Sequence, residues 1–115
     1  MSTRELFLRV LATCQMEEAE FLLLLGDTVR SLLALYPAPL LSRTGDAVIG
    51  APETLDRETG LHPLYDGALV TGVIARKTHD PADTAAFRTE ADGAFRAAWR
   101  AAAARRRAAM KEVRG

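Results

Sequence analysis

The chain is poor in the residues that do most enzymatic work. Its 115 residues include one cysteine and two histidines. Cys14 alone cannot close an internal disulfide, which fits a reducing compartment. On the apolar side of a helix it reads as a small core residue. His62 and His79 fall at predicted helix boundaries, and neither has a second ligand at metal-binding spacing. His79-Asp80 reads as a capped turn rather than a catalytic dyad. Arg43-Thr44-Gly45-Asp46 lacks the glycine spacing and the lysine of a phosphate loop. Glu17, Glu18 and Glu20 do not share one helix face, so they read as a solvated acidic first turn rather than a cation site. No enzyme, catalytic residue, metal site or cofactor is expected.

Long apolar runs are missing too. Phe21 to Leu25 is the longest stretch of large apolar residues, far short of the roughly 20 needed to cross a bilayer. Met1-Ser2-Thr3-Arg4-Glu5 has no signal-peptide core. The expectation is a soluble protein made in the cytoplasm, with no membrane partner. Aromatics make up only 6% of residues, so a core must be built from leucine, valine and alanine.

A net charge is also absent, with 15 basic and 15 acidic residues. The two signs are nevertheless segregated. Acids prevail up to Gly60, whereas from Ala94 onward Arg96, Arg100, Arg105, Arg106, Arg107, Lys111 and Arg114 face only Glu112. Such asymmetry suits an acidic partner or a second copy met head to tail. A solvated helix end favoured by the macrodipole has the same composition.

What is present is mostly helical pattern. Ser2-Thr3-Arg4-Glu5 matches a capping box, so a helix should begin near Thr3 and bury Leu6, Phe7, Val10, Leu11 and Cys14. Thr13 to Gln15 is either a break or a continuation. A second helix should run from Glu17 to Tyr36, with Phe21, Leu24, Leu25, Val29, Leu32, Leu33 and Tyr36 in helical register. Leu22, Leu23 and Leu35 widen its apolar face, so it belongs at the centre of the core or between subunits. Gly26-Asp27 is its weak point, and Pro37 and Pro39 end it.

Residues 38–63 are the least regular. Gly45-Asp46 and Gly50 signal turns. Ala47-Val48-Ile49 has the pattern of a short strand, with Thr54 to Leu61 as its partner in a loose hairpin. A third helix fits Pro63 to Lys77, where Gly72 would admit a close neighbour. Thr78-His79-Asp80 is a short link, so this helix and the last should pair antiparallel. Asp80 as N-cap, Pro81 at the first position and Asp83 in the first turn start the last helix. Phe87, Ala91, Ala94, Phe95, Ala98, Trp99 and Ala102 form its apolar stripe, and it should extend to about Glu112.

The fold expected is mainly α: one domain over residues 1–115, a small antiparallel bundle of about four helices. An irregular or hairpin-like insertion occupies residues 44–60. A long C-terminal helix ends in a basic extension over residues 101–115. Phe21, Leu25, Val29, Leu69, Val73, Phe87 and Phe95 are its expected core.

One resemblance rests on these residues. Leu61-His62-Pro63-Leu64-Tyr65-Asp66-Gly67-Ala68-Leu69 leads into Val70-Thr71-Gly72-Val73. A short connection then gives Asp80-Pro81-Ala82-Asp83-Thr84-Ala85-Ala86-Phe87, and later Phe95 and Trp99. With the helix from Glu17 to Tyr36 before it, this order resembles the small head–tail connector, or adaptor, proteins of tailed bacteriophages and prophages. The resemblance covers about three quarters of the chain and concerns size, order and apolar positions. It implies a structural virion protein of the neck, made in the host cytoplasm. It would assemble as a homo-oligomeric ring, dodecameric by resemblance, beneath the portal protein. The ring would continue the DNA channel and offer a platform for the next neck or tail protein. The family has no catalytic residue and no cofactor. Some members use their C-terminal segment to grip the portal, a role that would fall here on residues 101–115. Arg96, Arg100, Arg105, Arg106, Arg107, Lys111 and Arg114 are then the candidates for contact with portal protein or packaged DNA. Two other readings remain open: a small nucleic-acid-binding protein using those arginines, and a stopper or tail terminator, which should hold more strand.

Overall fold

A computed structural model describes the backbone of residues 1–114 and the side chains through Glu112. The elements are α1 (Thr3–Leu11), α2 (Glu18–Leu35), α3 (Ala38–Leu41), a 3-10 turn (Pro63–Tyr65), α4 (Asp66–Thr78) and α5 (Pro81–Arg114). No strand occurs among the described residues, only an isolated bridge between Ser42 and Leu61. The protein is thus a small, mainly helical bundle with a long C-terminal helix.

Local signals set the helix ends. Ser2 Oγ accepts the Glu5 N–H at 3.1 Å, and Glu5 Oε1 accepts the Ser2 N–H at 3.3 Å, completing the capping box of α1. The Ser2 N–H, followed by the Ser2 hydroxyl, holds the Glu5 carboxyl below its ordinary pKa. α2 stops because Tyr36 precedes Pro37 and is driven into extended backbone, φ −133° and ψ 151°. Asp80 Oδ1 accepts the Ala82 N–H at 2.8 Å and starts α5. His79 closes α4 in the left-handed region at φ 56°.

α4 is the centre of the molecule. α1, α2 and α5 all pack on it, whereas α2 and α5 scarcely meet each other. Phe21, Leu25, Val29, Leu32, Leu69 and Val73 join Leu6, Val10, Leu41 and Tyr65 in one buried core. Gly72 sets the spacing. A Cβ there would overlap the Thr28 methyl and lie 2.9 Å from the Phe87 ring. Tyr65 is fully buried, and its hydroxyl donates to the Leu40 carbonyl at 3.0 Å.

Points that the sequence left open are settled, and several expectations are corrected. α2 runs unbroken through Gly26-Asp27, because Gly26 is buried beneath Ala51 rather than left to fray. Thr13 to Gln15 is a break, outside any helix. Residues 38–41 form a helical turn where only loop was expected. Ala47-Val48-Ile49 forms no strand. It is held instead by the Ser42 hydroxyl donating to the Ala47 carbonyl at 3.2 Å and, just beyond it, by the Gly50 N–H donating to the Thr59 carbonyl at 3.0 Å, and Val48 is 90% exposed. The insertion is irregular yet anchored, since Pro52, Leu55, Thr59 and Leu61 are buried. Gly60 lets it fold back at φ 81°, where a Cβ would collide with the Val48 carbonyl.

Phe87 and Phe95 are half-buried rather than core. The deepest positions of α5 belong to Ala91, Ala94 and Ala98, which let α4 and the preceding turn approach its backbone. The aromatics flank that line and cover its edges. Trp99 lies further out, 52% exposed.

Candidate functional site

The candidate cations all lie on α5, so that helix decides what they can do. It is long because nothing interrupts it: after Pro81 it has no proline and a high alanine content. At about 1.5 Å per residue it is about 50 Å long, close to the 56 Å longest dimension of the molecule. The other two dimensions are 30 and 23 Å. The radius of gyration is 15.4 Å, against about 13 Å for a compact chain of this length. The excess comes from the outer end of α5. Beyond Ala103 every described residue is exposed.

The arginines are not equivalent. Arg96, Arg100, Arg107 and Lys111 fall within an arc of about 60° at the helical step of about 100° per residue. All four are exposed. Arg105 points the other way and lines a cleft with Thr44, Gly45 and His62. Arg106 lies 6.0 Å from the centre of the Trp99 ring, at the edge of cation–π range. The Arg114 side chain lies outside the described residues. Among the described residues none of these cations pairs with a carboxylate; the ion pairs lie elsewhere, such as Arg43–Glu58 at 2.5 Å and Arg4–Asp56 at 3.0 Å.

An aromatic ladder supports the inner end of this surface. Tyr36 stacks on Phe95 with ring centres 4.6 Å apart, and Phe95 meets Trp99 at 6.3 Å. The Tyr36 hydroxyl donates to Asp92 Oδ1. Burial, and then that carboxylate, push the Tyr36 phenol up to about 12. Burial also raises the Tyr65 phenol.

A groove of about 910 Å³ separates α2 from α5, floored by Gly72 and Ala75 of α4. Leu35 and Phe87 supply apolar walls, and Arg76, Arg88, Asp27 and Asp92 supply mixed charge. Arg76 donates to the Ser31 hydroxyl inside it.

His62 and His79 are not brought together. His62 Nδ1 accepts the Leu64 N–H at 3.0 Å to cap the 3-10 turn, while His79 ends α4. Among the described residues no three His, Cys, Asp or Glu side chains could share a metal ion. Cys14 is half-buried against the core. No described helix is long and apolar enough to cross a membrane.

Sequence reasoning missed the Tyr36–Asp92 contact and the groove, which join segments far apart in the chain. It also missed the Trp99–Arg106 contact, although seven residues return a helix to nearly the same side. Compared with protein-family models, curated proteins and solved structures, the chain matches none.

Proposed function

We propose that this protein is a neck adaptor of a tailed bacteriophage or prophage. Copies form a ring beneath the portal, prolong the DNA channel and seat the next neck or tail component. The observation that carries the reading is the division of the molecule into a compact helical body and a slender basic helix end that outruns it. The body suits ring packing, and the outer end of α5 suits contact with another component of the particle. Beside this stands the order of α2, the Pro63-Leu64-Tyr65 turn, α4 and α5, which follows the adaptor pattern.

A closed ring needs head-to-tail contacts between unlike surfaces. Leu23 and Leu35, 63% and 60% exposed on α2, supply apolar area for one of them. Stopper and terminator readings fare worse, because they call for strands and none occurs among the described residues.

The test is to mix the protein with the portal protein encoded in the same genome and image the mixture by negative stain. Rings stacked on the portal, coaxial with its channel, are the expected result. A protein that neither forms rings nor binds the portal overturns the reading. Portal and capsid genes beside its own gene are expected as well.

A further inference from the structure

We infer that the outer face of α5 is a docking track for duplex DNA, held through phosphates across the major groove. The neck reading is not needed for this; within that reading it names the DNA as the partner of this face.

The argument starts from the arc itself. From Thr89 to Lys111 the positions on it are Thr89, Gly93, Arg96, Arg100, Arg107 and Lys111. None is acidic and none is a large apolar residue. All six are exposed. A protein partner would want an aromatic or aliphatic anchor at the centre of the contact. A nucleic acid wants positive charge and a polar surface.

The spacing points the same way. Arg96 and Arg100 form one pair, and Arg107 and Lys111 form another. At about 1.5 Å per residue the members of each pair are about 6 Å apart, and the pairs are about 16 Å apart. The major groove of B-form DNA is about 12 Å wide between walls of phosphate. A helix laid across it places one pair on each wall. Between the pairs Ala101, Ala102, Ala103 and Ala104 are slim, and Arg105 and Arg106 turn off the arc toward the loop cleft and Trp99. The four cations are assigned to phosphates, which carry no sequence information, so binding should be independent of sequence. A-form RNA, with its deep and narrow major groove, should fit poorly.

The experiment uses the full chain without portal protein, so its outcome is separate from ring assembly. Fluorescence anisotropy follows binding to labelled duplexes of about 20 base pairs, long enough to present a full major groove. Four phosphate contacts predict a slope of log K against log salt of about −3.6, or about 150-fold weaker binding between 50 and 200 mM salt. Arg100→Gln and Arg107→Gln should each make the slope shallower by about 0.9. Arg88→Gln, which removes the same charge from the groove side of α5, should leave the slope unchanged. Duplex RNA of the same length should bind more weakly. All three positions are exposed, and circular dichroism checks that each variant stays folded.

Four results overturn the inference. The protein fails to bind duplex DNA at low salt. The Arg88 variant loses as much as the arc variants. Polyglutamate at equal charge displaces the DNA outright, which assigns the face to an acidic protein. Anionic vesicles bind in preference to DNA and need the same arginines, which assigns it to a lipid surface.

Discussion

The inner and outer halves of α5 share a wealth of alanine but not a task. Both are rich in alanine. In the inner half Ala91, Ala94 and Ala98 are buried, and their small size lets α4 and the Pro63-Leu64-Tyr65 turn lie close to the helix. In the outer half Ala104, Ala108 and Ala109 are exposed and touch nothing that needs their size. There alanine contributes only helix propensity, which keeps the helix straight without tertiary support. Composition alone therefore does not say whether an alanine-rich helix is packed. The partners do: large side chains stand beside the inner alanines, and arginines beside the outer ones.

The sharpest way to break this contrast is to attack the body. Leu25 is fully buried in α2 at the middle of the core. Leu25→Ala should destabilise the protein by about 2–5 kcal/mol, read from urea denaturation. The same truncation at half-exposed Phe87 should cost less, because part of that ring already faces the groove. Equal losses at the two sites would mean that the edge of the bundle is as tightly packed as its centre.

Next comes the crossing at Gly72. A methyl group there meets the Thr28 side chain and the Phe87 ring at once. Gly72→Ala should cost roughly 1–3 kcal/mol by overpacking, despite its better helix propensity. Thr28→Ser removes the obstructing methyl and keeps the hydroxyl that donates to the Leu24 carbonyl at 2.8 Å. The double variant should recover part of the loss. If it recovers none, Phe87 alone sets the spacing.

These sites also show what the sequence could disclose. The capping box at Ser2 to Glu5, the period of α2 and the Asp80-Pro81 start of α5 are local signals, and each element appears where its signal lies. Gly72 was legible as a close approach because it interrupts an apolar helical face. The burial of Phe87 and Phe95 was not. A period locates an apolar stripe but not its centre, and the centre here is alanine. Val48 failed differently. Its segment has strand propensity but lacks a partner strand to complete a ladder. The basic positions were visible as a cluster, and their register on one arc follows from helix geometry. That Arg105 and Arg106 turn away from the arc follows from the same geometry, whereas the cleft that Arg105 meets depended on where the loop lies.

A smaller effect tests the link between the two halves. Tyr36 joins the end of α2 to Asp92 at the edge of the packed half. Losing that hydrogen bond in Tyr36→Phe should cost about 0.5–1.5 kcal/mol at neutral pH. The alkaline limb carries a separate sign. The folded phenol titrates at about 12, above its ordinary value of 10.0. Its contribution is therefore fully present below pH 10 and is lost as the pH rises through about 12. Tyr36→Phe should flatten the fall in stability across that window. Some fall should persist, because burial raises the Tyr65 phenol as well. An unchanged alkaline limb would show that in solution the Tyr36 phenol is neither buried nor bonded to Asp92.

The smallest expected effect on stability belongs to the outer half itself. Deleting the chain from Ala103 onward removes residues that are exposed from Ala104 through Glu112 and leaves every core side chain in place. Surface changes of this kind usually alter stability by no more than about 0.5 kcal/mol. The midpoint of urea unfolding should barely move, while the helical signal in circular dichroism falls by the share of helix removed. A large loss of stability would mean that the outer turns support the body, through Arg105 at the loop cleft or Arg106 against Trp99. In that case Arg105→Ala and Arg106→Ala should each reproduce part of the loss. If the body is indifferent to the deletion, the outer turns are free to serve contacts outside the subunit. Assembly with the portal and binding of duplex DNA can then be measured on a folded truncated protein, and a loss of either belongs to the missing helix rather than to unfolding.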